Sequence, residues 1–269
     1  MRIAYFDCFS GISGDMILGS LLHAGVDAEA WQAELAKLNV PGYELKICTA
    51  VKEGISAVDV DVVLLEQDQG HGRHLADIEL IINDSGLSEN VRKRALGAFT
   101  QLAAAEARIH AMTPDTIHFH EVGAIDAIVD IVGSCIGLEM LGIEKVYCSP
   151  LPLNRGWVEC AHGTMPVPAP ATLELLTGFT LRPDDRVKEL ITPTGAALMA
   201  EYAERSADGN VLQAPPMVLT STGYGAGKRD SWIPNLLRVM VGETAGAPIL
   251  KLAGTRRIAG IPTRPHRRR

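Results

Sequence analysis

The chain has 269 residues, 47% of them apolar, 21% charged and only 5% aromatic. That balance excludes a disordered chain and demands an aliphatic, Ala-rich core. The formal charge of -7 is uneven: the last fifteen residues hold six arginines and no acid, so the body carries 19 basic and 32 acidic residues. Such a body repels nucleic acid and anionic membrane and tolerates cations. Five scattered cysteines without a CxxC pair exclude a disulfide framework and a thiolate zinc finger. With no signal-type start and no run of 18 apolar residues, the expected location is cytoplasmic.

In chain order, "RIAYFD" reads as a first strand and "SGDMILGSLLHAGVD" as a helix ended by Gly25. A second helix, "AEAWQAELAKLN", stops before Pro41. Period-two alternation on both sides of residues 52–54 predicts a β-hairpin. A polar, glycine-rich loop, "QDQGHGRH", precedes two amphipathic helices, "LADIELIINDS" and "SENVRKRALGAFTQLAAAEARIHA". The stretch "HFHEVGAIDAIVDIVG" leads into a buried helix running to about Leu141. Five of the fifteen prolines then fall in residues 146–172, which must be extended or looped. Short helices around "ATLELLTG" and "PTGAALMAEYAER" follow, with strand-like "VLQAPPMVL" and "LLRVMVG" on either side of "TSTGYGAGKRDSWIPN". The expected fold is α/β or α+β, a mixed sheet with packed helices and one hairpin. Residues 1–243 form the body, divided near 143 into two subdomains; residues 244–269 form a basic, disordered tail.

The central puzzle is a pair of acids on a buried helix. Asp126 and Asp130 are one turn apart and share a stripe with Gly123, Gly133, Ser134 and Gly137, while Ile125, Ile128, Val129, Val132 and Ile136 form the other side. Small residues admit a close neighbour, and two acids demand that it be cationic or rich in donors. His118, His120 and Glu121 stand just before the helix, and His71, His74 and His162 lie in loops. Imidazoles with carboxylates suit a borderline divalent metal such as nickel, zinc or manganese. The competing expectation is that Asp126 and Asp130 pair with Arg92, Arg94 or Arg108.

A second feature is the turn "FDCFSGISGDMI", in which Asp7, Ser10, Gly11, Ser13, Gly14 and Asp15 could hold a phosphate or a second cation. It matches neither standard glycine-rich phosphate motif, and an ordinary strand-to-helix turn explains it as well. Cys8 reads as a buried structural thiol. The later loops present Arg155, His162 and Thr164, then Lys228 and Arg229, which could wrap an anionic ligand or lie on a surface loop.

The motifs "DCFSGISGDM", "HFHEVGAIDAIVDIVG", "CSPLPLNRG", "HGTMPVPAPATLELLTG", "ELITPTGAAL" and "GYGAGKRD…PNLLRVMVGE" together resemble the LarC family. The resemblance covers about residues 1–243. It implies nickel insertion into pyridinium bisthiocarboxylate mononucleotide by a CTP-dependent cyclometallase of the lyase class, yielding the nickel-pincer nucleotide cofactor of lactate racemase-type enzymes. It further implies a C-terminal LarC domain, in cis or in trans, that holds CTP with manganese or magnesium. This chain would be the metal-handling N-terminal part, a homo-oligomer being possible, with no nucleic-acid or membrane partner. The alternatives are a nickel metallochaperone without catalysis and a metal-dependent phosphohydrolase.

Overall fold

The computed structural model describes residues 1–65, 73–119, 123–229 and 231–244. The expected basic tail, from residue 245 on, and the loop at 66–72 lie outside the described residues.

The elements are β1 (Arg2–Asp7), α1 (Gly14–Ala24), α2 (Ala28–Ala36), β2 (Tyr43–Lys52), β3 (Ile55–Leu64), β4 (Arg73–His74), α3 (Leu75–Asn83), α4 (Glu89–His110), β5 (His118–Phe119) and α5 (Ile125–Met140). Then come β6 (Lys145–Cys148), β7 (Leu151–Leu153), β8 (Trp157–Cys160), β9 (Gly163–Pro166), α6 (Pro170–Leu175), β10 (Leu181–Pro183), α7 (Pro193–Tyr202), β11 (Met217–Ala226) and β12 (Leu236–Thr244). The mixed sheet and the hairpin are as expected. Of the strand-like stretch 211–219, residues 212–216 are irregular, because Pro215 and Pro216 supply no ladder donors.

Side-chain caps set several helix starts. Asp27 accepts from Ala30 N–H (2.9 Å), Ser88 from Val91 N–H (3.1 Å) and Thr192 from Gly195 N–H (3.3 Å). Pro193 occupies the first position of α7, where its missing N–H costs nothing.

Six strands form the main sheet in the order β2-β3-β11-β12-β1-β6. β1 is parallel to β6 and antiparallel to β12, with Phe6 opposite both Cys148 and Val239. A cut at residue 143 would therefore sever β1 from β6. One continuous core runs from Ala4 to Val241, filled mainly by Ala, Val, Ile and Leu.

α1 lies close against β11 because Gly223 and Gly225 present no side chain to it. A Cβ at Gly225 would fall 1.8 Å from the Met16 carbonyl oxygen. On its other side α1 meets α5, where Gly137 faces Leu21 and Gly133 faces Trp31 and Leu18. Trp31 Nε1 donates to the Gly133 carbonyl at 2.8 Å. What the small-residue stripe of α5 admits is therefore an indole and an aliphatic helix. The acids stand on the same stripe, one turn and more toward the N-terminus.

Candidate metal and substrate site

The loop after β1 is held by backbone and arginine. Ile12 N–H donates to Leu190 O (2.8 Å) and Thr192 N–H to Ile12 O (3.1 Å), so residues 190–192 run beside the loop and deliver the start of α7 to the start of α1. Buried Arg186 donates to Ser10 Oγ (2.8 Å) and to the carbonyls of Ser10 and Phe9 (each 3.3 Å), and Arg182 to Phe9 O (2.7 Å). Asp184 binds Arg186 through both oxygens, at 2.6 and 2.7 Å, and this ion pair holds its carboxyl down at about 2. Ser10 and Gly11 are thus occupied in building the turn. Asp7, expected to hold a cation, instead receives Arg238, with Nε at 3.1 Å and Nη2 at 2.5 Å.

Beyond this turn a cavity of about 210 Å³ opens, lined by Ser13, Asp15, Asp126, Ala127, Asp130, Thr192, Pro193 and Thr194. Its walls are the N-terminal turns of three helices, α1, α5 and α7. Their exposed amides and dipoles favour negative charge, which is the local reason three acids can stand together. Asp15 Oδ1 accepts from Met16 N–H (2.8 Å) and from Ser13 Oγ; Asp126 Oδ1 accepts from Ala127 N–H (2.9 Å). Gly14 N–H donates to Thr194 Oγ1 (3.3 Å), which lies 3.0 Å from Thr192 Oγ1. Gly14 is required here: a Cβ would sit 2.3 Å from Asp130 Oδ2.

The electrostatics are those of an under-neutralised site. Burial first, then the Asp15 and Asp126 charges, push the Asp130 carboxyl well above the ordinary range; the Asp15 N–H and more distant Lys228 oppose this. Burial likewise raises Asp15, opposed by Ser13 and Lys228. The arginines expected as partners are engaged elsewhere: Arg92 with Asn83 O (3.2 Å), Arg94 with Glu201 (3.1 Å) and Arg108 with Glu174 (2.5 Å). Lys228 binds Asp59, Val60 O (2.8 Å) and Asp61 (3.6 Å), and Arg229 binds Glu189 (2.8 Å), so both cations of that loop already face anions of the protein.

The structure separates the expected histidines. His74 on β4 and His118 on β5 face each other across a two-stranded ladder. His74 Nδ1 lies 2.9 Å from Ile117 O and so carries the proton, turning the lone pair of Nε2 toward His118 Nδ1 at 3.3 Å. Two nitrogens bound to one ion at about 2.0–2.1 Å lie roughly 3 Å apart, so this pair is close to a chelating spacing. Arg73 ties the ladder to the entry of α5 by donating to Gly123 O (2.6 Å). His162 is elsewhere, stacked on His110. His71, His120 and Glu121 lie outside the described residues. Among the described residues no three histidine, cysteine or acidic side chains are already set around one point for a metal. The candidate donors among the described residues therefore fall into two groups, an imidazole pair and a carboxylate cavity.

The chain matches the family described as nickel insertion protein over residues 4–257. It belongs to the nickel insertion protein family. A relative from Desulfitobacterium hafniense (strain DSM 10664 / DCB-2), named pyridinium-3,5-bisthiocarboxylic acid mononucleotide nickel insertion protein, is 50% identical over 246 residues, 91% of this chain and 59% of the relative. A relative from Dictyoglomus thermophilum is 50% identical over 243 residues, 90% of this chain and 61% of its own length. This nickel insertion family member thus spans about three fifths of those relatives. No solved structure matches it. No helix of the described residues is long and apolar enough to cross a membrane.

The cavity of this chain also contains two residues that the sequence presents only as folding signals, Thr192 and Thr194, which read as helix-start residues. Their proximity to Asp15 and Asp130 depends on the pairing of residues 190–192 with residue 12, which no local pattern announces.

Proposed function

We propose that this chain handles nickel for insertion into a pyridinium bisthiocarboxylate mononucleotide, the nickel being captured by the His74–His118 pair and delivered to the cavity of Asp15, Asp126 and Asp130. The observation that carries this is the cavity itself: three carboxylates on the first turns of α1 and α5, beside the start of α7, with no guanidinium bound to them among the described residues. A carboxylate and imidazole donor set fits a borderline divalent cation, and nickel here is the substrate to be transferred. In the proposed reaction nickel forms one bond to a ring carbon and two to sulfur, and the ring proton must leave. A carboxylate whose proton affinity is raised by burial, Asp130 or Asp15, is the acceptor that the cavity offers. CTP with manganese or magnesium belongs to the same proposal, held by the C-terminal LarC domain in cis or in trans.

The test is nickel titration followed by a cofactor-maturation assay, with and without CTP and the C-terminal domain. The proposed role requires nickel binding that Asp130→Asn and His74→Ala each weaken, and maturation that fails with either variant. Nickel binding unchanged in both variants would overturn it. Binding that never leads to maturation under any condition would reduce the role to nickel storage or delivery.

A further inference from the structure

A second imidazole pair stands outside the site just described. The turn between β8 and β9 carries His162, and the β8–β9 hairpin brings it over the end of α4. There it meets His110, with ring centroids 4.8 Å apart and planes tilted by 34°. One turn earlier on α4, Glu106 Oε2 lies 3.4 Å from His110 Nε2. His110 and Glu106 keep 34% and 22% of their side-chain surface exposed, so the pair lies at the surface within reach of an ion from solvent.

Three independent features favour a cation here. The end of a 22-residue helix presents the negative end of its dipole. Glu106 adds a full negative charge beside the imidazoles. Two imidazoles sharing one ion through nitrogens at about 2.0–2.1 Å have centroids roughly 4.5–5 Å apart; the separation here is 4.8 Å, and the three side chains, not already set around one point, must turn to bind. Two histidines from different elements with an acid at i−4 are a donor set suited to a borderline divalent ion.

We propose that His110 and His162, with Glu106, form a separate binding site for a borderline divalent cation, nickel or zinc, that clips the β8–β9 hairpin onto the C-terminal end of α4. The site is independent of the acid cavity and of the chemistry proposed there. Its consequence is mechanical: metal bound here fixes the hairpin that leads into α6.

The experiment is titration of the whole chain with nickel alone, then zinc alone, by calorimetry, with histidine side-chain NMR during the zinc series. The expected result is a binding event lost in His110→Ala and in His162→Ala but retained in Asp130→Asn, with the His110 and His162 imidazole signals shifting together at the same zinc equivalence. Circular dichroism of each variant, whose replaced side chains are exposed, verifies folding. Equal stoichiometry in the parent and the double variant, or imidazole signals that ignore the metal, would overturn the site. Because Asp130→Asn disables only the cavity, loss of nickel there with retention here leaves the two assignments separately decided.

Discussion

Asp184 and Asp130 are the same residue type in the same small region, and the protein treats them oppositely. Asp184 is clamped by Arg186 and held down at about 2. Asp130 has a backbone amide and a distant lysine, and is pushed well above its ordinary range. Asp7, Asp59 and Glu189 follow Asp184, each with an arginine or lysine; Asp15 follows Asp130. Acids that build the frame come with their cation supplied by the chain, and acids that line the cavity do not. On the proposed reading, the cost of the second arrangement is retained because the cation comes from outside.

The sharpest way to break this contrast is to remove a built-in cation. Arg186→Met leaves Asp184 with Arg182 alone (3.3 Å) and frees the loop carrying Ser10, so it is expected to cost about 3 kcal/mol in denaturant unfolding. A loss under about 1 kcal/mol would mean that the clamp is not structural. Gly14→Ala drives a methyl into Asp130 and is expected to cost about 1–3 kcal/mol with a parallel loss of nickel binding. If Gly14→Ala binds nickel normally, Asp130 is not at the site.

Acid titration separates the two classes by sign. Because Asp184 has a depressed folded value, its contribution is full above the ordinary aspartate range. It fades as pH falls from about 4 to 2, amounting to no more than about 2 kcal/mol. The parent minus Asp184→Asn difference in unfolding free energy should shrink over that window. For Asp130 the folded value is raised, so the metal-free protein loses stability as pH rises through its titration. Asp130→Asn is therefore expected to stabilise the metal-free chain at pH 7, by about 1 kcal/mol, while weakening nickel binding. A destabilised variant would show that the carboxylate has a structural partner. The smallest effect is expected at Arg108→Ala, where an exposed arginine–Glu174 pair should contribute less than about 1 kcal/mol.

Much of the fold was legible because it is written locally. The helices from Leu75 to Asn83 and from Glu89 to His110 follow their apolar period, and the β2–β3 hairpin follows its alternation across residues 52–54. The acid pair was legible because carboxylates on a greasy helix contradict burial. The rest was not, since it depends on contacts distant in sequence. Nothing in "ELITPTGAAL" announces that Thr192 and Thr194 reach Ser13 and Gly14, a meeting made by two backbone hydrogen bonds between residues 12 and 190–192. In the sequence Asp7 groups with Asp15 because the two flank one loop. Its position on β1 instead turns it to Arg238 of β12, a register fixed only when the sheet forms. By sequence His162 falls with the other loop histidines, whereas its hairpin places it against His110 of α4.

The most direct measurement is anomalous scattering at the nickel edge from crystals of this chain soaked with nickel. The expected result is a peak within coordination distance of Asp15, Asp126 or Asp130, with Lys228 still bound to Asp59. A cavity without signal, with Lys228 turned in to pair with Asp130, would contradict the claim that these acids are kept for a cation from outside.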